Sequence, residues 1–406
     1  MTTVRGAPAP TSGSRLQVVR GWLAHPLAPY YLLLGSVGLL MALGLIMVLS
    51  ASGVLALRES GDSYAIFKRQ LIWVAAGIPL AYLVSRTPVR VIRGFAWPLL
   101  LGSVVLLLLT YVPGFGVEVN GSTNWVDFGG PFRFQPSEVA KLALVVWGAH
   151  ILAAKGPRLA EVRHLVVPLF LGAGAVIALN LGQRDLGNPI VLGAIVLGLL
   201  WVAGVPMWLM GMSAGAATLV AGYFVLSEQY RRDRILSFLD PFEHRLDIGY
   251  QAVASIFAFS SGGWWGTGLG ASRQKWGRLP EAHTDFIYAV IGEELGLVGS
   301  LVVLVLLLVL AYAGLRIATR ATDPFVRFAT AGMTTWIVVQ SVVNIGAAIG
   351  VLPITGVPLP LVSYGGSAMV IGLVGLGIVV AGARSDPAVR AALAARRHRR
   401  DAAARA

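Results

Sequence analysis

The chain has no cysteine among its 406 residues, and only 13% of those residues are charged. Without cysteine there is no disulfide, no thiol nucleophile and no zinc-thiolate site, and loops can face an oxidising exterior. Soluble domains carry about 25% charged residues, so the low charge excludes an ordinary soluble enzyme of this length. The sequence also lacks a solenoid repeat and the paired interrupted helices that mark inverted-repeat transporters.

Apolar residues make up 56% of the chain, and its mean hydropathy is +0.74. They gather in runs of roughly 20, the length that a helix needs to cross a bilayer. We therefore predict an all-α polytopic membrane protein with a single domain over residues 29–385. Ten membrane helices are predicted, at about 29–51, 70–86, 93–112, 137–154, 164–182, 188–204, 206–227, 286–315, 326–350 and 366–384.

The basic residues orient these helices. With the N-terminus inside, most of the 32 lysines and arginines fall in cytoplasmic segments, as the positive-inside rule predicts. Residues 1–28 are then a flexible basic cytoplasmic tail, and residues 386–406 are a second one. This second tail is either an amphipathic helix on the anionic inner leaflet or a charged stop. The first apolar run is too long for a signal peptide, so we expect that helix to be retained.

The outer connection at residues 228–285 is unusual because it is about 58 residues long, whereas the other outer loops are short. It contains RRDR at 231–234 and a glycine cluster with Trp264 and Trp265, and it leads into WGRLPEAHTDF at 276–286. Connections of this length in compact domains are usually functional, although a solvated loop with surface ion pairs is the alternative. Asp285 ends this connection, so we predict that it stands at the outer mouth of the eighth helix.

Ionisable residues are few in the predicted helices, and each is a functional candidate because charge within a membrane is costly. Glu138 and Lys141 stand three residues apart on one helix face, so they either neutralise each other or contact a substrate. Glu293 lies about 12 Å along the predicted eighth helix from Asp285 and about 80° around it, close enough to share its cavity. No metal site is predicted, because the histidines lack metal-ligand spacing.

A single outward carboxylate limits the chemistry that is open to the protein. Hydrolysis of an ordinary glycosidic bond needs two carboxyl groups, because the leaving sugar oxygen must be protonated. A diphosphate leaving group needs cations instead, and one carboxylate can then take the proton of an attacking hydroxyl. Asp285, with Lys275 and Arg278 on the same outer connection, fits transfer from a diphosphate better than it fits hydrolysis.

Several motifs in this order resemble the SEDS family of shape, elongation, division and sporulation proteins, to which FtsW and RodA belong. The match covers nearly the whole membrane region, and its motifs are Asn120-Gly121 with Trp125, QPSEVAK at 135–141, QRDLG at 183–187, GYQA at 249–252, KWGRLPEAHTDFIYAVIGEELGLVG at 275–299 and LPITGVPLPLVSYGGS at 352–367. The segments LGLIMVLSASGV, WGAHILAAK and ATDPF look most like the FtsW branch of actinobacteria.

The resemblance implies a peptidoglycan glycosyltransferase that polymerises lipid II, a disaccharide-pentapeptide on undecaprenyl diphosphate, into β-1,4-linked glycan at the outer face of the cytoplasmic membrane. Asp285 would be the base that activates the acceptor 4-hydroxyl. The expected substrate-binding residues are Glu138, Lys141, Asp185, Gln251, Lys275, Glu281, His283, Glu293 and Ser363.

Some individual roles follow from the resemblance and others stay open. Lys141 would meet the diphosphate, and Glu138 and Asp185 would hold it or a divalent cation (Mg or Mn), although the sequence itself requires no cofactor. Arg184 stands where the family commonly has proline, and it either aids diphosphate binding or pairs with Asp185.

The implied partner is a class B penicillin-binding transpeptidase with one membrane helix, along with other division or elongation proteins and no nucleic acid. A lipid II flippase and a non-catalytic division scaffold are the alternative functions. Asp285 separates them from a polymerase, because neither has much use for a base at the outer mouth.

Overall fold

The structure is a computed structural model that describes residues 24–119, 121–127, 129, 133–155, 162–185, 187–227, 232, 238–244 and 249–403. Most of the predicted N-terminal tail lies outside the described residues, as do Asn120 and three members of the RRDR run, Arg231, Asp233 and Arg234.

Helices form at all ten places where a membrane helix was predicted, and among the described residues two more lie elsewhere. In chain order they are α1 (Ala28–Ser60), α2 (Ala65–Arg86), α3 (Val89–Gly94), α4 (Ala96–Leu109), α5 (Pro136–Lys155), α6 (Val162–Gly182), α7 (Gly187–Val202), α8 (Met207–Ser227), α9 (Tyr250–Gly262), α10 (Ile287–Arg320), α11 (Pro324–Ala348), α12 (Gly366–Ser385) and α13 (Pro387–Ala403). Within the described residues, six of these helices are long and apolar enough to cross a membrane: α1, α5, α8, α10, α11 and α12. The helical class is confirmed, and the count of ten crossings stays a prediction.

The third predicted span differs from the prediction because it is divided into α3 and α4 around Phe95. Pro98 lies in the first turn of α4, where the missing N–H costs little, but it cannot continue a helix that began upstream. The first span also differs, since α1 continues to Ser60.

A small antiparallel sheet follows α4, an element that the all-α prediction did not include. Its strands are β1 (Gly116–Val119), β2 (Ser122–Asp127) and β3 (Arg133–Phe134), paired in chain order. Val119 pairs with Ser122, which leaves two residues for the turn, and the sequence there is Asn-Gly. This dipeptide favours a tight hairpin, and the alternating valine, threonine and tryptophan residues favour strands.

The long outer connection is not irregular throughout, because α9 lies within it. Its residues Ala254 and Ala258 are buried one helical turn apart and place one apolar face against the bundle. Residues 263–275, which follow α9, fold over the first part of α10.

The core of the bundle is formed by α5, α11 and α12. The most apolar stretch of α5 is 83% buried, whereas that of α8 is only 11% buried. A polar residue on α5 is therefore enclosed by protein, and this is the helix that carries Glu138 and Lys141.

Candidate active site

Asp285 lies directly before α10, in the turn that leads from the outer connection into that helix. Its carbonyl oxygen accepts a hydrogen bond from Nδ2 of Asn344, on α11, at 2.8 Å. The side chain is half-buried. Backbone N–H groups without helical partners make a helix start favourable for negative charge, so this position stabilises a carboxylate and attracts anionic ligands.

The segment between α11 and α12, residues 352–365, runs beside Asp285. Gly356 has a φ of +71°, and a Cβ atom at this residue would lie 3.7 Å from Oδ2 of Asp285. Glycine thus allows the main chain to adopt this conformation next to the carboxylate. Leu361 has a φ of +67°, which is costly for a side chain of this kind and has to be offset by surrounding contacts.

Ser363 ties the 352–365 segment to the turn that carries Asp285. Its Oγ donates to the carbonyl of Thr284 at 2.6 Å and accepts from the main-chain N of Leu359 at 2.8 Å. The main-chain N of Tyr364 adds a bond of 2.9 Å to the carbonyl of His283. Ser363 was predicted to bind substrate, but the structure gives its hydroxyl two main-chain partners and a structural role.

Glu138 and Lys141 form a buried ion pair on α5, with Nζ 2.7 Å from Oε1 and side-chain exposures of 1% and 0%. Lys141 also donates to Oε1 of Gln340 at 3.0 Å, and Nε2 of Gln340 donates to the carbonyl of Pro358 at 2.9 Å. Glu138 and Lys141 therefore neutralise each other's charge, and Gln340 on α11 connects the pair to the 352–365 segment.

The second carboxylate oxygen of Glu138, Oε2, is buried and has no hydrogen-bond partner. Glu138 lines a small cavity whose other walls are α11, α12 and the 352–365 segment. A buried acceptor without a donor typically costs about 1–3 kcal/mol. A donor or cation in this cavity would remove that cost, so Glu138 remains able to contact a ligand.

Asp185 lies at the start of α7, where amide groups hold its carboxylate. Oδ2 accepts from Nδ2 of Asn188 at 2.7 Å and from Nδ2 of Asn124, on β2, at 2.9 Å, while Oδ1 caps the helix by accepting the main-chain N–H of Asn188. Arg184 is exposed and has a φ of +61°. The structure thus has Asp185 held by two asparagines.

The turn at Asp185 packs against the same 352–365 segment. A Cβ atom on Gly187 would come within 2.5 Å of the carbonyl oxygen of Thr355, so only glycine permits this approach. Asp285, the Glu138–Lys141 pair and the Asp185 turn therefore all border one segment, although they are far apart in sequence.

A family model described as "Cell cycle protein" and named for FtsW, RodA and SpoVE matches residues 30–386. The chain belongs to this family.

Relatives in the family carry the name that the sequence motifs suggested. A probable peptidoglycan glycosyltransferase FtsW of Mycobacterium tuberculosis is 44% identical over 376 residues, which are 93% of this chain and 72% of the relative. The protein of the same name in Geobacter metallireducens is 40% identical and covers 84% of this chain and 91% of its own length. These relatives confirm both the predicted family and its FtsW branch.

Solved structures of the family have the same fold. The rod shape determining protein RodA of Thermus thermophilus gives a TM-score of 0.65 at 29% identity, covering 90% of this chain and 99% of the other. A chain from a peptidoglycan synthase complex, described as coordinating polymerization and crosslinking, gives 0.72 at 31% identity with the same coverage. The chain is thus a multi-pass membrane protein of the FtsW, RodA and SpoVE fold.

In this family member, Lys275 and Glu293 were predicted to contact substrate, but the structure places them in a different cluster. Nζ of Lys275 lies 2.9 Å from Oε1 of Glu294. Glu293 accepts bonds from Oγ of Ser272 at 2.5 Å and from the main-chain N of Arg273 at 2.8 Å. Both residues are buried because the outer connection folds back onto α10, which sequence spacing did not reveal.

Glu281 and His283 shape the turn before Asp285. Glu281 has a φ of +54°, and its Oε2 accepts from Oγ1 of Thr284 at 2.7 Å. Burial lowers the pKa of His283 from its usual value of 6.5, and the negative charges of Glu281 and Glu59 partly oppose this shift. Burial therefore favours the neutral form of the His283 ring. Gln251 lies half-buried in the first turn of α9.

Sequence reasoning missed two functional candidates on α11, Gln340 and Asn344. Gln340 links Lys141 to Pro358, and Nδ2 of Asn344 donates to the carbonyls of Asp285 and Val357, each at 2.8 Å. The two amides stand four residues apart on an otherwise apolar helix face. This spacing could have identified both residues from the sequence, because polar side chains within a membrane helix rarely lack a partner.

A metal cation at this site would need ligands from the substrate in addition to those from the protein. Among the described residues, no three histidine, aspartate or glutamate side chains come together. Glu138 and Asp185 each offer one carboxylate, so a divalent ion bound by either would require oxygen atoms from a diphosphate as well.

Proposed function

We propose that this protein is a peptidoglycan glycosyltransferase that polymerises lipid II, and that Asp285 is its catalytic base. The observation that carries the proposal is the convergence of Asp285, the Glu138–Lys141 pair and the Asp185 turn on the 352–365 segment. The names of the FtsW relatives support the same activity.

In the proposed reaction, the 4-hydroxyl of the acceptor sugar attacks C1 of the donor sugar. A bond forms between the 4-oxygen and C1, the bond from C1 to the diphosphate oxygen breaks, and undecaprenyl diphosphate leaves with the electron pair. Asp285 takes the hydroxyl proton. The leaving group needs stabilisation of its charge rather than a proton, so one carboxylate is enough.

The remaining residues of the site serve the diphosphate and the sugars. Lys141 holds Glu138 in place through their ion pair, and the unpaired oxygen of Glu138 or the carboxylate of Asp185 would hold a divalent cation, which would supply positive charge to the leaving diphosphate. The amide of Gln251 is proposed as a further contact to the substrate. Removing Mg and Mn with a chelator should abolish polymerisation, and restoring either one should return it; polymerisation that persists in the chelator would exclude the cation.

The proposed setting is the cytoplasmic membrane, crossed ten times with both termini inside, so that Asp285 faces outward. The proposed partner is a class B penicillin-binding transpeptidase. The solved relative from a peptidoglycan synthase complex supports an association between polymerisation and crosslinking.

The test is polymerisation of purified lipid II by the protein with its transpeptidase partner. Asp285→Asn should lower kcat by about 10²–10⁴-fold, the usual contribution of a general base. Asp401→Asn is a matched control, because Asp401 is an exposed aspartate near the end of the C-terminal helix α13. Unchanged kcat in Asp285→Asn would remove the base from the proposal. Lipid II translocation into vesicles without glycan formation would favour a flippase.

A further inference from the structure

α10 is not one continuous helix, because Gly296 adopts a φ of 68° and a ψ of −166°. The outer connection fills the break. Its residues Thr267 and Gly268 donate main-chain N–H groups to the carbonyls of Glu293 and Glu294 at 2.9 and 3.0 Å. Main-chain groups that a broken helix would leave unpaired in the membrane are thus satisfied by this loop.

Side chains reinforce the same junction. Oε1 of Glu294 accepts from Nζ of Lys275 at 2.9 Å, and Oγ of Ser50, on α1, donates to Glu294 at 2.6 Å. Glu293 holds Ser272 of the loop in the same way. We call Ser50, Ser272, Lys275, Glu293 and Glu294 the loop lock.

The ion pair of the loop lock links the two ends of the segment that contains the proposed base, so that this segment forms a closed loop. Lys275 and Glu294 are 19 positions apart, and Asp285 lies near the middle of the intervening sequence. A buried ion pair across such a closed loop limits the positions that the enclosed turn can take. Ser50 anchors the closed loop to α1, while Ser363 anchors its middle to the 352–365 segment.

We propose that Lys275 is a positioning residue that holds Asp285 in place through Glu294, and that it does not bind the diphosphate. This inference rests on the proposed function and specifies how its base is held. The cation of the lysine is already paired in the buried cluster, whereas Arg278 on the same loop is exposed and available to an anionic ligand.

The test is a cycle of Lys275→Met, Glu294→Gln and the double variant, in the full chain with its partner. Removing one member leaves a buried group unpaired, whereas removing both relieves that cost. Each single variant should lower kcat by about 10- to 100-fold with little change in KM for lipid II, as expected when a reacting group is displaced by about 1 Å. The double variant should recover most of the loss.

A diphosphate contact predicts a different pattern. Lys275→Met would raise KM, Glu294→Gln would leave KM unchanged, and the double variant would behave like Lys275→Met, which together would overturn the proposal. Lys275→Arg, which keeps the charge, should retain more activity than Lys275→Met. Ser260→Ala on α9 is the matched control, because this exposed hydroxyl bonds only to the carbonyl of Ile256 in its own helix.

Hydrogen exchange of residues 263–279, measured without substrate, provides a readout independent of activity. Exchange should increase in both single variants and return toward the parent rate in the double variant. Unchanged exchange in the single variants would contradict the loop lock. Asp285→Asn should leave exchange unaltered, so failure of the proposed base and failure of the lock are distinguishable.

Discussion

Asn344 illustrates how single buried amides organise the site. Its Nδ2 serves two carbonyl oxygens, those of Asp285 and Val357, and the residue is only 2% exposed. It therefore joins the turn of the proposed base to the 352–365 segment through two main-chain carbonyls. A residue of this kind affects catalysis through the position of the main chain.

Asn344→Leu should lower the free energy of unfolding by about 1–3 kcal/mol, because both carbonyls lose their donor. It should also reduce polymerisation. Thermal unfolding in detergent and the lipid II assay measure the two effects. Ser341→Ala on the same helix is the control, since this hydroxyl bonds only to the carbonyl of Ile337 one turn earlier and should change stability little. Equal effects of the two substitutions would contradict the assigned role of Asn344.

His283 should make stability depend on pH. Its pKa in the folded protein is below the value of 6.5 expected in the unfolded chain, because burial disfavours the charged ring. Below pH 6.5 the unfolded state then binds more protons, so stability falls as the pH is lowered, and it is fully present above 6.5.

Unfolding midpoints between pH 5 and 8 measure this effect. His283→Gln should flatten the loss of stability below pH 6.5 relative to the parent, and the difference between the two curves isolates His283 from the carboxylates. His244→Gln is the control, as His244 is a second histidine of the outer connection that is not part of the 281–285 turn. Parallel curves for the parent and His283→Gln would show that His283 does not carry the effect.

At the scale of elements, hydropathy predicted where helices occur but not where they break. The apolar run at 286–315 gave no sign of the break at Gly296, because hydropathy averages over a window and a single left-handed glycine leaves the average unchanged. Pro98 and the Asn-Gly hairpin were local signals of the α3–α4 division and of the sheet. These signals come from the residues that form turns and interrupt helices, and the length of an apolar run does not contain them.

Gly296→Ala should destabilise the protein strongly. The φ and ψ of Gly296 are reached almost only by glycine, at a cost of about 1–3 kcal/mol for other residues. An added Cβ would also lie 2.4 Å from the main-chain N of Gly266 and 2.5 Å from the carbonyl oxygen of Trp264. We therefore expect residues 263–268 to be displaced from the break in α10.

Thermal unfolding and hydrogen exchange of residues 263–268 measure this change. Gly211→Ala is the matched control, because Gly211 lies in α8 with open space around its Cβ position and alanine favours a helix. If Gly296→Ala were as stable as Gly211→Ala, the break would not depend on glycine at this position.

At the scale of the whole molecule, the sequence motifs identified the residues of the candidate site well. They predicted the contacts of those residues less well. Asp285, Glu138, Lys141 and Asp185 do border one segment, as a shared site requires. The partner of Lys275 could not be predicted, because Glu294 and Ser50 reach it only through the folding of the outer connection onto α1 and α10. Contacts of this kind depend on tertiary packing, which local spacing does not encode.

The absence of cysteine allows a direct test of the proposed topology, since any introduced thiol is the only one present. Ala271 and Thr322 are both exposed, and α10 is the helix that lies between them. If α10 crosses the membrane once and the outer connection faces outward, a membrane-impermeant maleimide should label Ala271→Cys in intact cells. It should label Thr322→Cys only after permeabilisation.

Ala143→Cys is the control for nonspecific labelling, because Ala143 is 0% exposed on α5 and should stay unlabelled in both conditions. Labelling of both exposed positions in intact cells would place the two ends of α10 on one side, which a single crossing forbids. The reversed pattern, with only Thr322→Cys labelled in intact cells, would turn Asp285 toward the cytoplasm. Lipid II polymerisation at the outer face would then be excluded, since the base would lie on the wrong side of the membrane.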